Sequence, residues 1–372
     1  MIRRTKTTTP RMSIDPTIMS ASVPHDKNSS AISEMKSSEE VVIVSLLASI
    51  TEILAALGVS RNIVGVTHCC DYPPSALEDT IVVTTSAVNP KKLTQAEIHE
   101  RVSGALRRGD SLYDLNVEAL RGLQPTHVFT QSLCDVCAVS APLVQSTCAR
   151  IFPTTTAAPA CQIVSLEPHS LDDVWETIRV AGNVLGLGPK AESIVTGYQS
   201  DLGQIQNAVE AFLQTAGSPA KPKVAFLEWH DPFVSGGHWI ANMLEIAGGN
   251  YSLNKSGQPS TCISDETLLE YDPDVILIGP CGFSLERATQ DTLPLLHHKT
   301  RKCWQLLRAV QNERVYALDG NSYFARPGPR LVQGTGLMAE CMFPGLGLPE
   351  RLAPSNGMKK ITTTMYNPIA DE

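Results

Sequence analysis

Residues 226–240, "FLEWHDPFVSGGHWI", hold two of the chain's four Trp together with Glu228, His230, Asp231, His238 and the pair Gly236-Gly237. Indole rings offer flat apolar surface, an imidazole can donate a hydrogen bond or ligate a metal, and paired glycines leave room for close backbone approach. Trp229, His230 and Trp239 therefore have the profile of a pocket wall for a large, partly planar ligand. A structural aromatic turn would use the same residues. The adjacent His-Asp pair is no dyad, because sequence neighbours seldom face one another and no nucleophile stands beside them.

Other stretches carry ligand-competent side chains. His68-Cys69-Cys70-Asp71-Tyr72, closed by Pro73-Pro74, reads either as a metal half-site or as a turn with buried thiols. "SLCDVCAVS" brings Leu133 and a lone CxxC, Cys134 and Cys137. That is short of the four ligands of structural zinc and lacks a thioredoxin-like context. "PCGF" contributes Phe283, and "GNSYFARPGPR" contributes Asn321, Tyr323, Phe324 and Arg326. His68, Cys69, Cys134, Cys137 and His230 are the candidate metal ligands, with the ion left unspecified. GxSxG, HExxH and Walker patterns are absent, and "GLGLPE" follows no strand, so it is no dinucleotide loop.

Short β-rich runs precede most of these stretches. "VVIVSLL", "NIVGVTH", "TIVVTT", "THVFTQ" and "QIVSLE" fall in the first half, "KVAFLEW", "DVILIG" and "RVYALD" in the second. Helical patterns alternate with them, including "TQAEIHERVSGALRRG", a segment capped by Ser170, and a long one over 190–214. Ser49 and Glu52 have the spacing of a capping box. The alternation predicts an α/β fold with mainly parallel sheets. "EALRGLQPTHVFTQ" and "ETLLEYDPDVILIG" repeat one another as helix end, Pro, strand, which favours two lobes of similar build. The polar and aromatic stretches follow strand carboxyl ends, the edge where open α/β sheets bind ligands.

A chain of 372 residues suits two domains. With 42% hydrophobic residues it should pack as a globule, and a net charge of -8 argues against a nucleic-acid partner. Ten cysteines in a chain of this size need not be disulfides, and a reducing compartment is expected. The apolar run at 41–59 is interrupted by Ser45, Ser49, Thr51 and Glu52, so it is no membrane span. The first forty residues lack an apolar signal core. They read as a disordered leader in a cytoplasmic protein, with an organellar transit peptide as the alternative. The expected boundaries are leader 1–40, first α/β lobe 41–169, connecting helix 170–188, second α/β lobe 189–345 and a loose tail 346–372.

Seven segments in order, "IVSLLASITEILAALG", "VGVTHCCDYP", "TQSLCDVCAVS", "SLEPHSLDDV", "EWHDPFVSGGHW", "PCGF" and "DGNSYFARPGPR", resemble cobalamin-binding members of the iron-siderophore/vitamin B12 substrate-binding superfamily. The likeness spans about residues 41–342 and implies two Rossmann-like lobes joined by a long α-helix, with ligand in the cleft between them. By that resemblance the contacts are Ser49, His68, Cys69, Asp71, Tyr72, Leu133, Cys134 and Cys137 from one lobe. The other lobe supplies Trp229, His230, Trp239, Phe283, Asn321, Tyr323, Phe324 and Arg326. Cobalamin is then a bound ligand and not an enzymatic cofactor, and the protein is not an enzyme. The superfamily also carries haem, ferric chelates and metal ions. A metal- or thiol-dependent enzyme in the same cleft is the reading from another class. An ABC permease is the partner the resemblance implies, although the expected lack of an export signal argues against delivery to one.

Overall fold

The apolar run at 41–47 becomes the middle of a five-stranded sheet, as strand β1 (Ile43–Ser45), buried along its whole length. A strand covered on both faces needs apolar residues at every position, which is why the run does not alternate. The computed structural model describes residues 41–131, 141–152, 161–215, 220–296, 303–362 and 365; the expected leader lies outside them.

Strands β2 (Ile63–Val66) and β3 (Ile81–Val82) flank β1 on one side. After a small antiparallel pair, β4 (Thr84–Ser86) with β5 (Tyr113–Leu115), the chain returns through β6 (His127–Thr130) and β7 (Gln162–Ser165) on the other side. The order is β3-β2-β1-β6-β7 and every pairing is parallel. The single run expected at 80–85 is thus split between two sheets. Val83, at the joint, donates to Val66 O at 2.9 Å and accepts from Asn116 N at 2.8 Å, so the chain changes sheets there.

The second sheet holds β8 (Val224–His230), β9 (Phe233–Ser235), β10 (Thr261–Cys262), β11 (Val275–Ile278), β12 (Val315–Leu318) and β13 (Met358–Ile361). Its order is β10-β9-β8-β11-β12-β13. The three central strands are parallel, and β9, β10 and β13 close the edges antiparallel. The Pro repeat falls where it was expected. Helices Val117–Leu123 and Asp265–Tyr271 end on Gln124 and Asp272, both left-handed, and Pro125 and Pro273 then lead into β6 and β11. Each copy delivers a strand next to the first strand of its own sheet.

Ser170 caps helix Leu171–Val184 with a full capping box to Asp173, as its sequence predicts. The expected connector, 170–188, proves to be this helix plus the start of a longer one, Gly188–Thr215. The two pack at Gly182, where a Cβ would collide with the Ala191 side chain, so only glycine lets them approach. One apolar core runs without a break through the first lobe (Ile43, Ile50, Phe129), the helix pair (Trp175, Ile178, Val195, Ile205) and the second lobe (Phe226, Leu337). Two smaller clusters cover the remaining face of each sheet. A core shared between lobes resists hinge motion, because bending would expose it.

Residues beyond 345, expected as a loose tail, are largely part of the second lobe. β13 pairs with β12 from Met358 to Ile361, and Leu352 is buried. Gly336, in helix Leu331–Met342, faces the Leu352 carbonyl so closely that no side chain fits. Gly336→Ala should therefore lower unfolding free energy by about 1–3 kcal/mol, read from the urea midpoint. An unchanged midpoint would mean that 349–354 can lift away freely.

Candidate functional site: the seam between the lobes

Among the described residues, two groups of polar contacts join the lobes. The first is centred on Glu52, in helix Ala48–Ala56 directly after β1. The capping box expected from Ser49 and Glu52 does not form; Leu47 is the N-cap and makes no side-chain cap bond. Glu52 instead accepts from Arg326 Nη1 at 3.1 Å and from Arg330 Nη2 and Nε at 2.6 and 2.9 Å. Two guanidinium partners outweigh one backbone amide. Asp71 accepts from Arg326 at 2.6 and 2.9 Å and from Asn321 Nδ2 at 2.9 Å. Arg326 also donates to Cys69 O and Asn321 Oδ1. The Arg330 guanidinium lies 4.4 Å from the Tyr72 ring centre and 5.8 Å from that of Tyr323, a cation stacked between lobes.

Burial pushes the Asp71 carboxyl up, yet Arg326, helped by Asn321 and Arg330, outweighs this and holds it below the usual carboxylate range. A lowered folded value stabilises the folded state above the unfolded value, and that stabilisation fades as pH falls through the folded one. Wild-type protein should therefore lose thermal stability more steeply than Asp71→Asn on acidification just below the ordinary carboxylate range. Parallel melting curves across that window would remove Asp71 from the linkage.

The second group is centred on Gln95, the first residue of helix Gln95–Arg108, which Thr94 and Glu97 close with a capping box. Gln95 Oε1 accepts from His230 N at 3.0 Å, and its Nε2 meets His230 Nε2 at 2.8 Å and Asp291 Oδ2 at 3.3 Å. The Trp229 indole donates to Gln95 O at 3.2 Å. Arg287 ties the same edge down through Leu93 O at 2.7 Å and Asp291 at 2.6 Å. Phe283 bridges the two groups. It packs on Trp229 at 5.2 Å, lies under the Arg287 guanidinium at 4.8 Å, and its carbonyl accepts from Asn321 N.

An open pocket of about 440 Å³ lies at the Gln95 end, bordered by Gln95, His230, Asp231, Arg287, Asp291 and Leu295. At the other side of the first sheet's carboxyl edge, Ser49 and Leu47 close against Pro168 and Pro327 around only about 10 Å³. The predicted residues thus divide. Ser49, Asp71, Tyr72, Trp229, His230, Phe283, Asn321, Tyr323 and Arg326 gather along the seam. Leu133, Cys134 and Cys137 lie outside the described residues.

Trp239 and Phe324, expected on the cleft wall, are in the core of the second lobe. The Trp239 indole donates to Phe324 O at 2.8 Å and its face is covered by His238, while Phe324 packs on Phe226. The Gly236-Gly237 pair makes room for the chain itself and not for a ligand. A Cβ on Gly237 would strike the Gln258–Ser260 backbone, and one on Gly236 would strike Phe226 and Ile240. Glu228 locks that turn by accepting from Gly237 N and Ser260 Oγ.

His68 bonds Thr84 Oγ1 through Nδ1 at 2.8 Å and leans on Tyr113, with Cys69 Sγ 3.2 Å from its other nitrogen. Burial pushes the Cys69 thiol up to about 11, which disfavours the thiolate that metal binding or nucleophilic attack requires. Among the described residues no three His, Cys, Asp or Glu side chains are grouped as a metal site.

Gln95, Arg287 and Asp291 carry no signal in the sequence that marks them as site residues, and the spacing of Ser49 and Glu52 imitates a cap. A lone Gln or Arg has no periodic signature. Only the capping box at Thr94 marked where Gln95 stands.

Residues 43–321 match the periplasmic binding protein family. The chain belongs to that family. It is 26% identical over 307 residues to an uncharacterized ABC transporter substrate-binding lipoprotein of Bacillus subtilis, covering 81% of this chain and 80% of that one. It is 22% identical over 291 residues to a vitamin B12-binding protein of Pectobacterium atrosepticum, covering 78% and 84%. The crystal structure of a periplasmic heme binding protein from Pseudomonas aeruginosa superposes with a TM-score of 0.63 at 18% identity, covering 87% of this chain and 99% of that one. The two α/β lobes joined by helix are the fold of the family. This membership overturns the cytoplasmic placement expected from the first forty residues, since the matched relatives include a lipoprotein and a periplasmic protein. Among the described residues no helix is long and apolar enough to cross a membrane.

Proposed function

We propose that this periplasmic binding protein holds cobalamin or a related corrinoid between its lobes, without catalysing a reaction, and presents it to an ABC permease. The carrying observation is the aromatic pair Trp229–Phe283, placed on the interlobe seam beside an open pocket. A flat macrocycle can enter edge-on, covering Trp229 with one face while its polar periphery stays in water. Arg287, Gln290 and Asp291 border the mouth, where amide and phosphate substituents would find charged and hydrogen-bonding partners. His230 lines this pocket with its Nε2 held by the Gln95 amide, and it would reach a central metal only by giving up that contact. The relative named as a vitamin B12-binding protein supports the corrinoid reading.

The same His230 favours a second reading, haem or another planar iron chelate, which a solved relative by its description binds. Titrating purified protein with cyanocobalamin and, separately, with hemin, followed by visible spectroscopy and calorimetry, decides between them. Cobalamin should give saturable heat and a spectral shift at micromolar concentration. If cobalamin changes neither signal while hemin saturates one site, the ligand is haem; if neither binds, the seam is not a tetrapyrrole site.

A further inference from the structure

The Gln95 side chain can stand in only one orientation. The His230 backbone N–H donates and cannot accept, so the amide atom facing it at 3.0 Å is Oε1. The other amide atom, Nε2, then faces Asp291 Oδ2 at 3.3 Å. That carboxylate is ion-paired to Arg287 at 2.6 Å and only accepts. The same Gln95 Nε2 stands 2.8 Å from His230 Nε2. A donor on one side requires an acceptor on the other, so His230 Nε2 carries no proton. The ring is the neutral imidazole protonated on Nδ1, and a neutral imidazole is the form that ligates metals.

Both residues are fixed in place. Gln95 is 3% exposed and begins a helix that Thr94 and Glu97 cap. His230 is 6% exposed and ends β8. The Gln95 carbonyl also holds the Trp229 indole, so three bonds from one residue join the lobes here. A metal that takes His230 Nε2 must break one of them.

We propose that Gln95 is a positioning residue for His230: it fixes the Nδ1-protonated imidazole, holds the Nε2 lone pair, and yields it to the metal of an incoming chelate. The favoured ligand is then a planar chelate whose metal has an exchangeable axial position, because only such a metal replaces the bond that Gln95 gives up. Chelates without that position leave Gln95 where it is. The metal step rests on the tetrapyrrole reading of the site; the protonation of His230 stands without it.

Two readouts test this. In protein labelled with 15N-histidine at mildly alkaline pH, long-range proton–nitrogen NMR spectra distinguish the ring nitrogens, and His230→Asn identifies the His230 signals among the nine histidines. Wild-type His230 should carry its proton on Nδ1, and Gln95→Leu should move a large share of it to Nε2. A proton on Nε2 in the wild type, or no change in the variant, overturns the proposal. The second readout is affinity for hemin against metal-free protoporphyrin IX, and for hydroxocobalamin against cyanocobalamin. Gln95→Leu should bind the first member of a pair about 3- to 10-fold more tightly, the worth of one hydrogen bond, and the second no more tightly. An equal gain for both members means that the variant only loosens the seam, and overturns the exchange at Nε2, as does a loss for the first member. Gln95→Asn, which withdraws the amide by one methylene, should move both readouts the same way and serves if the Leu variant does not fold. If no tetrapyrrole binds either protein, the proposed ligand falls and the metal step with it, while the NMR spectra still decide the role of Gln95.

Discussion

Glu52→Gln should destabilise the protein by about 3–5 kcal/mol, because it leaves two guanidinium groups without their shared counter-charge. The Glu52 side chain is 2% exposed, and Arg326 and Arg330 are 8% and 13% exposed. Asp71 still neutralises Arg326, so the uncompensated cation is chiefly Arg330, stacked between Tyr72 and Tyr323. The amide keeps the shape and one acceptor, which isolates the loss of charge. Urea unfolding monitored by tryptophan fluorescence reads the change. A loss below about 1 kcal/mol would mean that Arg330 swings into water at little cost, as an exposed pair would. The seam would then not be a dry ionic contact. Replacing Glu52 and Arg330 together by apolar residues of similar volume should recover much of the loss, since a buried pair owes little net stability to its attraction.

Trp229→Ala should weaken ligand binding by about 2 kcal/mol, roughly 30-fold, as expected for an aromatic anchor at the centre of a contact. The effect on folding should be smaller, about 1 kcal/mol, because the ring is only half-buried and its removal empties less packed space than the loss of a core side chain. Trp229→Phe separates two roles of the side chain. It keeps an aromatic face against Phe283 but removes the indole bond to Gln95 O. Affinity retained in Phe and lost in Ala identifies stacking as the source. Loss in both points to the lobe-to-lobe hydrogen bond. Equal losses of affinity and stability in the Ala variant would return Trp229 to a purely structural role.

Much of the fold was legible because its signals are local. A strand buried on both faces shows as an unbroken apolar run, and Ser170 with Asp173 shows as a cap. A helix that must stop before Pro125 or Pro273 shows as a repeated joint. The ends of those strands correctly located the general region of the seam, because a parallel α/β layer places its loops at one edge whatever their content. Within that region residue type misled. Trp229 and Trp239 are equally aromatic and ten positions apart, yet one faces the seam and the other the core. The choice was made by Phe324, whose carbonyl receives the Trp239 indole from a segment far along the chain. Gly237 looked like space for a ligand and is space for residues 258–260.

The sequence by itself determined the alternation of strands and helices, the two similar halves and the kind of surface at the strand ends. These follow from backbone geometry acting over a few residues, where neighbours in sequence are neighbours in space. The way the lobes dock settles that Glu52 answers Arg326 and Arg330, that Gln95 receives Trp229 and His230, and which aromatic rings remain available. Such pairings depend on how two separately built lobes dock, and docking is set by a core shared through the helix pair, which short-range patterns do not encode.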